Sequence, residues 1–207
     1  MKKVAILLRL LHKENETDKE TFGIKEDVIN AIKGYGVKYY LIPMNTALND
    51  DYDNIIEMIK MADGVIIPGG RRGGSQMELD IIKYLYDEDI PTLGICYGHQ
   101  NMGKIRNGKK QAVEGHMVLD QKYAHHVKIK KDSLLHEIIG KDRIKVNSRH
   151  KNIVVDTDFF ISAYNDERMP EALEDKTKKC FIGVQWHPES IMDQDNKKIF
   201  DYFISKL

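Results

Sequence analysis

The sequence predicts an α/β fold with a doubly wound, mainly parallel sheet and a smaller strand-rich C-terminal portion. Three observations predict it. Apolar runs alternate with amphipathic helical segments over residues 4–95, their connections are mostly short, and short strands dominate from residue 125 onward. A β-α alternation with short connections is typical of parallel sheets that carry helices on both faces.

The N-terminal half contains four predicted strands and three predicted helices. Residues 4–11 form a near-continuous apolar run, as expected for a central strand covered on both faces, and the polar residues 12–23 predict a loop. Apolar residues at helical spacing predict the helices, and short apolar runs that end at Gly or Pro predict the strands. The helices cover residues 24–33, 53–61 and 77–86, and the further strands cover residues 37–42, 64–67 and 92–95.

The C-terminal half is predicted to be rich in short strands joined by turns that carry Asp, Asn and Lys. An amphipathic helix over residues 196–207 closes the chain. Because no internal repeat or linker interrupts the sequence, we expect one domain over residues 1–207. The predicted strands are residues 126–130, 144–146, 153–156, 159–163, 171–174 and 181–185.

Composition excludes several classes of function. Among the 207 residues, Lys+Arg and Asp+Glu number 32 each, which argues against a general binder of nucleic acids or membrane surfaces. The two cysteines, Cys96 and Cys180, provide no disulfide framework and suit a reducing compartment. Arg9 interrupts the N-terminal apolar run, which argues against a signal peptide, and no run approaches transmembrane length. We therefore expect a soluble, cytoplasmic protein.

The stretch Gly94-Ile95-Cys96-Tyr97-Gly98 directly follows a predicted strand. Gly-x-Cys-x-Gly is the cysteine form of the nucleophile elbow, in which glycines allow a sharp strand-to-helix turn. A thiol at a helix N-terminus also meets the positive end of the helix dipole, which favours the thiolate. Pro68-Gly69-Gly70 ends another strand and should lie beside Cys96. The alternative is a buried cysteine in an ordinary βα turn.

A second informative stretch is Gln185-Trp186-His187-Pro188-Glu189. Pro188 biases His187 toward an extended conformation, in which residues two apart point the same way. Glu189 can therefore accept a hydrogen bond from one imidazole nitrogen of His187. A base oriented by a carboxylate is what a cysteine nucleophile requires. The alternative is an exposed turn with a surface ion pair.

Together, these stretches closely resemble the class I glutamine amidotransferase domain, and they occur in the family's order. The resemblance implies the flavodoxin-like fold of that family and attack of a thiolate on the γ-carboxamide of a γ-glutamyl group, without a metal or an organic cofactor. It also implies a catalytic triad, an oxyanion hole of two backbone N–H groups, and a residue that helps bind the glutamyl moiety. These are Cys96, His187 and Glu189 for the triad, Gly70 and Tyr97 for the oxyanion hole, and Gln100 for the glutamyl moiety.

A further resemblance is to the γ-glutamyl hydrolase branch of that superfamily, which includes γ-glutamyl-GABA hydrolases. Residues 146–152 resemble its Val-Asn-Ser-x-His-x-Gln segment, and residues 170–174 resemble its Glu-Ala strand. The resemblance implies that Ser148 and His150 line the substrate pocket near the leaving group. The sequence departs from the pattern at Asn152, where glutamine is usual, and in the polar, shortened segment 101–108 after the elbow.

Three functions are compatible with these residues. The preferred hypothesis is a stand-alone cysteine hydrolase that acts on glutamine or a small γ-glutamyl amine through a γ-glutamyl thioester, since no synthetase domain follows in this sequence. The alternative is a glutaminase subunit that supplies ammonia to a separate synthetase. The third is a non-catalytic module that retains the fold. The partners expected are a small-molecule γ-glutamyl substrate and either a second copy of the chain or a synthetase.

Other reactive side chains are interpreted as structural. His125 and His126 precede a predicted strand and are taken as structural or surface residues rather than a ligand pair. Cys180 lies beside a predicted hairpin turn and is expected to be inert. Arg71-Arg72 follows the oxyanion glycines, where it either binds a substrate carboxylate or faces solvent.

Overall fold

The computed structural model describes residues 1–10, 22–44, 51–70 and 75–207. Within these ranges, no helix has both the length and the apolar character needed to cross a membrane. The helices are α1 (Glu26–Ile32), α2 (Tyr52–Lys60), α3 (Gln76–Asp87), α4 (Tyr97–Lys104), α5 (Leu134–Ile139) and α6 (Gln194–Ser205).

Strands β1 to β5 alternate with the first three helices, and β6 to β14 follow α4. They are β1 (Lys3–Leu10), β2 (Phe22–Gly23), β3 (Lys38–Pro43), β4 (Gly64–Ile67), β5 (Thr92–Ile95), β6 (Lys109–Ala112), β7 (Met117–Val118), β8 (His125–Ile129), β9 (Arg143–Val146), β10 (Ser148–Arg149), β11 (Asn152–Val155), β12 (Phe160–Asn165), β13 (Pro170–Glu174) and β14 (Phe181–Val184).

One large mixed sheet carries the fold. Its order is β2-β1-β4-β5-β14-β13-β12-β8-β9, with β3 also paired to β1. Strands β3, β1, β4, β5 and β14 run parallel to one another, whereas β13, β12, β8 and β9 continue the sheet with antiparallel pairing. The predicted fold class is confirmed. Of the strands after α4, β14, β13, β12, β8 and β9 belong to this sheet, and β7–β10 and β6–β11 form two separate two-stranded sheets.

Helices cover both faces of the sheet, as a doubly wound sheet requires. Alternate residues of β1 face opposite sides, so Val4 and Ile6 pack in one core and Ala5 and Leu7 in the other. The first core is closed by α1, α5 and α6, and the second by α2 and α3. This alternation follows from the two-residue repeat of a strand buried on both faces.

The predicted elements of the N-terminal half are all present within two or three residues of their expected ends. The predicted loop 12–23 ends in the short strand β2, and its residues 12–21 lie outside the described residues. Strands β6, β7 and β10 and helix α5 were not predicted. Helix α5 has only 6 residues, too few to show a helical repeat, and buried Glu174 accepts hydrogen bonds from its first N–H groups, those of Leu134 and Leu135, at 2.6 and 3.0 Å.

Candidate active site

Three adjacent parallel strands end at the candidate site. Strand β5 lies between β4 and β14, with Gly94 opposite Ile67 on one side and Gly183 on the other. The residues that follow these strands are Pro68-Gly69-Gly70, Cys96 and the segment that leads to His187. The register therefore brings together three stretches that are separated by up to 119 positions, from Pro68 to His187.

Cys96 lies in a sharp turn between β5 and α4. Its φ of 51° and ψ of −100° place a non-glycine residue in a conformation that L residues rarely adopt. The flanking glycines are required by packing, because a Cβ at Gly94 would lie 2.1 Å from Met102 Sδ and a Cβ at Gly98 would lie 2.1 Å from the Ile67 carbonyl oxygen. The turn has the strain and the close packing expected of a nucleophile elbow.

His187 and Glu189 form a short, buried hydrogen bond. His187 Nδ1 lies 2.6 Å from Glu189 Oε1, and both residues are buried. The backbone of His187 has φ −109° and ψ 83°, short of a fully extended conformation, and Pro188 begins a 3-10 turn over Pro188–Ser190. The predicted geometry, in which a carboxylate two residues away orients the imidazole, is therefore present.

The imidazole of His187 also reaches Cys96. A Cβ at Gly69 would lie 2.6 Å from His187 Cε1 and 3.5 Å from Cys96 Cβ, so Gly69 packs directly against both residues. Burial by itself lowers the pKa of His187, but the carboxylate of Glu189 and the Cys96 side chain outweigh it, and the pKa is raised well above its ordinary value. This environment favours an imidazolium beside the sulfur.

The side chain of Asn147 holds the backbone of His187 through two hydrogen bonds. Asn147 Nδ2 donates to the His187 carbonyl oxygen at 2.8 Å, and the His187 N–H donates to Asn147 Oδ1 at 2.8 Å. Sequence reasoning missed this role. The available signal was that Asn147 belongs to the segment 146–152, in which only Ser148 and His150 were given roles.

Gln100 and Gln185 form a buried amide chain that ends at Cys96. Gln100 Nε2 donates to the Asn152 carbonyl oxygen at 2.6 Å and to Gln185 Oε1 at 3.1 Å. Gln185 Nε2 in turn contacts Cys96 Sγ at 3.6 Å. Gln100 thus lies one side chain away from the sulfur, and Gln185 is a further site residue that the sequence analysis did not single out.

Ser148 and His150 are buried close to the Gln100–Gln185 amide chain, and their side chains bond to each other and to backbone carbonyl groups. Ser148 Oγ lies 2.9 Å from the His116 carbonyl oxygen and 3.1 Å from His150 Nε2. His150 Nδ1 lies 3.1 Å from the Asn152 carbonyl oxygen, the same acceptor that Gln100 uses. Burial lowers the pKa of His150 to about 3, with nearby His116 as a further cause, so its imidazole is neutral at neutral pH.

The two proposed oxyanion donors, Tyr97 and Gly70, follow the adjacent strands β5 and β4. Tyr97 is the first residue of α4 and directly follows Cys96. Gly70 follows Gly69, which packs against Cys96 and His187. The resemblance assigns the oxyanion hole to backbone N–H groups at these two positions, and this is the type of donor that stabilises a developing oxyanion.

Helix α4 is short, as expected from its polar sequence, but it is buried. His99, Gln100 and Asn101 are all less than 5% exposed. Asn101 Nδ2 donates to Glu78 Oε1 at 2.9 Å, and Gln100 donates to Gln185 and to the Asn152 carbonyl oxygen, so these two buried amides have partners. The polar side chains of α4 therefore lie inside the protein rather than in solvent.

Three further reactive groups were singled out in the sequence. Cys180 is buried, and burial raises the pKa of its thiol to about 12, in keeping with the inert role expected. His126 lines a shallow depression with Tyr123 and Asp193, whereas His125 points to Glu171. Arg71-Arg72 lies outside the described residues.

The sequence and the fold of this chain are similar to those of known proteins. The family model for glutamine amidotransferase class-I matches residues 20–207. The chain is 32% identical over 157 residues to the A subunit of the glutamine-hydrolyzing GMP synthase from Archaeoglobus fulgidus, covering 72% of this chain and 78% of that protein. It is 25% identical over 225 residues to CTP synthase from Saccharolobus solfataricus, covering 90% of this chain and 42% of that protein.

The chain spans less than half the length of the CTP synthases that it matches. Among solved structures, a putative A subunit of GMP synthase from Thermoplasma acidophilum superposes with a TM-score of 0.73 at 18% identity, covering 100% of this chain and 94% of that chain. The glutaminase domain of Trypanosoma brucei CTPS gives a TM-score of 0.71 at 16% identity over the same shares of both chains.

These relatives do not support the finer resemblance to the γ-glutamyl hydrolase branch, because they are synthase domains and subunits. The broader resemblance is confirmed by the family match over residues 20–207 and by the fold of the solved structures. The chain belongs to the class I glutamine amidotransferase family.

Proposed function

We propose that this chain is a glutaminase that hydrolyses glutamine through a γ-glutamyl thioester on Cys96 and supplies the ammonia to a synthetase. The observation that carries the proposal is the convergence of a strained Cys96, the His187–Glu189 pair at 2.6 Å and Gly69 at the ends of three adjacent strands. A nucleophile, a base and an orienting carboxylate in contact are the components of a covalent acyl-transfer site.

In the first half of the proposed reaction, the Cys96 thiolate attacks the γ-carboxamide carbon, and the carbonyl electron pair moves onto oxygen. The backbone N–H groups of Tyr97 and Gly70 stabilise that oxyanion, an effect worth about 2.7–4 kcal/mol per donor in a comparable site. The His187 imidazolium then donates its proton to the nitrogen as the C–N bond breaks. Ammonia leaves, and the thioester remains.

In the second half, neutral His187 takes a proton from water, and the hydroxide formed attacks the thioester carbon. The C–S bond breaks, glutamate leaves, and the thiolate and imidazolium are restored. Glu189 keeps Nδ1 of His187 protonated, so that Nε2 exchanges the proton in both halves. Gln100 and Gln185 form the amide-lined wall next to Cys96 and are proposed to contact the glutamyl moiety.

The relatives favour glutamine over a γ-glutamyl amine as the substrate. The Archaeoglobus relative is named as part of a glutamine-hydrolyzing GMP synthase, and the chain covers 78% of it. The side chains of Ser148 and His150, which the hydrolase resemblance would place near the leaving group, are 1% and 3% exposed and bond to each other. Hydrolysis of a small γ-glutamyl amine is therefore the weaker of the two hypotheses.

The test is glutamate release by the purified chain from glutamine and from a panel of γ-glutamyl amines, with Cys96→Ala as the control. We expect Cys96-dependent release from glutamine, with kcat/KM at least about tenfold above that for any γ-glutamyl amine. A reversed preference would establish the hydrolase hypothesis instead. Equal background from the wild type and Cys96→Ala on every substrate would leave only a non-catalytic module.

A further inference from the structure

A second cluster of reactive side chains lies outside the proposed reaction. His116, His125 and Glu171 each present one ligand atom, and these atoms all lie within 4.8 Å of one another. The three residues come from three segments: the turn before β7, the start of β8, and β13. We call these three residues the histidine–glutamate cluster.

We propose that the histidine–glutamate cluster binds a divalent transition-metal ion of the Zn²⁺ class. Two imidazoles and one carboxylate are a common three-ligand set for Zn²⁺, which leaves a fourth position for water or another group. Ca²⁺ and Mg²⁺ prefer ligand sets made of oxygen atoms and are disfavoured by two imidazoles.

The cluster contains ligand atoms that the protein itself leaves unsatisfied. Glu171 is 0% exposed, and no described residue donates a hydrogen bond to its Oε2. His125 Nε2 lies 3.0 Å from Glu171 Oε1, but the two groups are not aligned for a hydrogen bond within the described part of the chain. A buried carboxylate oxygen without a donor is costly, and a bound cation would remove that cost.

The distances within the cluster suit one ion. Two ligands that are each about 2.0–2.1 Å from Zn²⁺ lie about 3.3–3.4 Å apart at the tetrahedral angle. The 3.0 Å separation of His125 Nε2 and Glu171 Oε1 is close to this value. The ligand atom of His116 lies within 4.8 Å of the other two ligand atoms, so a small inward shift brings it to the tetrahedral separation.

The surroundings of His116 prepare it as a ligand. Its Nδ1 lies 3.2 Å from Ser148 Oγ, so the tautomer that donates this proton keeps the Nε2 lone pair for an ion. Histidine ligands usually donate their other ring N–H to such an outer partner, which fixes the ring. Its ring also stacks on His150 with centroids 5.0 Å apart. Glu167 Oε1 lies 3.6 Å from His116 Nε2.

Bound metal would cross-link the turn that carries His116 to the main sheet. The same cross-link adjoins the active site, because the Glu171 carbonyl oxygen accepts the Gln185 N–H at 2.7 Å, and Gln185 contacts Cys96. The competing explanation is a metal-free ion pair between His125 and Glu171. This predicts no response to Zn²⁺.

The experiment is a calorimetric titration of Zn²⁺ into Cys96→Ala protein, because the Cys96–His187 pair would otherwise compete for the ion. We expect one ion per chain and a rise in Tm of about 5–10 °C at roughly a hundredfold excess over Kd. Co²⁺ should give the visible absorption of a tetrahedral site. No binding to Cys96→Ala, or binding only when Cys96 is present, would overturn the proposal.

The location is tested in the same Cys96→Ala background. Adding His125→Gln should weaken Zn²⁺ binding at least about 100-fold, beyond the roughly 10–100-fold typical of outer-shell changes. His126→Gln, which alters the next residue of the same strand, should leave binding unchanged and serves as the matched control. Circular dichroism verifies that both variants fold. Equal binding by both variants would exclude the histidine–glutamate cluster as the site.

Discussion

Two regions of this protein place a histidine beside a buried carboxylate, and they use the combination differently. At the active site, His187 and Glu189 share a 2.6 Å hydrogen bond, and the pKa of His187 is raised despite its burial. Around the histidine–glutamate cluster, His125 and Glu171 lie 3.0 Å apart without an aligned hydrogen bond, and the pKa of His150 is lowered to about 3.

The difference shows what burial alone does to an imidazole. Burial penalises the charged form in both regions, because low-dielectric surroundings solvate it poorly. Only at His187 do a bonded carboxylate and a sulfur reverse the effect. The first region is therefore suited to proton transfer, whereas His150, beside the second region, stays neutral at neutral pH.

The largest expected effect is at the nucleophile. Cys96→Ala should reduce kcat for glutamate release by at least about 10⁴-fold, because removing a nucleophile removes the covalent path. Cys180→Ala is the matched control, since that thiol is buried in the apolar core, and it should retain full activity. Steady-state glutamate release measures both variants. Equal losses would contradict the assignment of Cys96.

The next largest effect is expected at Glu189, the carboxylate of the active-site region. Glu189→Gln should lower kcat by about 10²–10⁴-fold, since the orienting carboxylate of a triad contributes on that scale. The same change should lower the pKa of His187, observed by NMR of the imidazole nitrogens. His125→Gln, in the other region, should leave kcat within about threefold. A Glu189→Gln enzyme of normal activity would show that the pair is only structural.

A smaller effect is expected at Gly69. In Gly69→Ala, the new Cβ would lie 2.6 Å from His187 Cε1, so the imidazole has to shift. A displacement on the order of 1 Å at a reacting group costs about 10²-fold in rate. We expect that loss in kcat, with a circular dichroism spectrum like that of the wild type. Unchanged kcat would mean that the ring does not need its present position.

The pH dependence of stability should have opposite signs in the two regions. Folding lowers the pKa of His150 from its ordinary value of 6.5 to about 3. The neutral imidazole therefore contributes its full stability above pH 6.5, and this contribution is lost as the pH falls from 6.5 toward 3. The pKa of His187 rises to about 10, so its contribution is present below pH 6.5 and is lost as pH rises through 10. Each slope approaches about 1.4 kcal/mol per pH unit at most.

Denaturant unfolding at a series of pH values measures this contrast. His150→Gln should flatten the acid limb of the stability profile, and His187→Gln should flatten the alkaline limb. If both substitutions changed the same limb, the contrast between the regions would be wrong.

The sequence predicts the parallel half of the sheet well because its signals are local. The apolar run of β1, the glycines around Cys96 and the Pro188 constraint on His187 each act within a few residues. The pairing of β5 with β14 cannot be predicted in this way, because Ile95 and Val184 meet across 89 positions. This strand pairing places His187 next to Cys96 in the structure, and in the sequence only the family resemblance predicts that the two residues meet.

The sequence was least informative where polar residues are buried. The composition of α4 gives no sign that Gln100 and Asn101 are inside, because their burial depends on the distant partners Gln185 and Glu78. His125 was interpreted as structural for the same reason. Its neighbour Glu171 lies 46 positions away and reaches it only through the order of β13, β12 and β8 in the sheet.

The most direct test of the proposed chemistry is to identify the residue that reacts with 6-diazo-5-oxo-L-norleucine, an electrophilic glutamine analogue. Intact-protein and peptide mass spectrometry would follow the adduct. We expect one adduct per chain on Cys96, none on Cys180, and a strongly slowed reaction in Glu189→Gln. Labelling that favours Cys180, or none at either cysteine while glutamine is turned over, would contradict the claim that Cys96 carries the γ-glutamyl group.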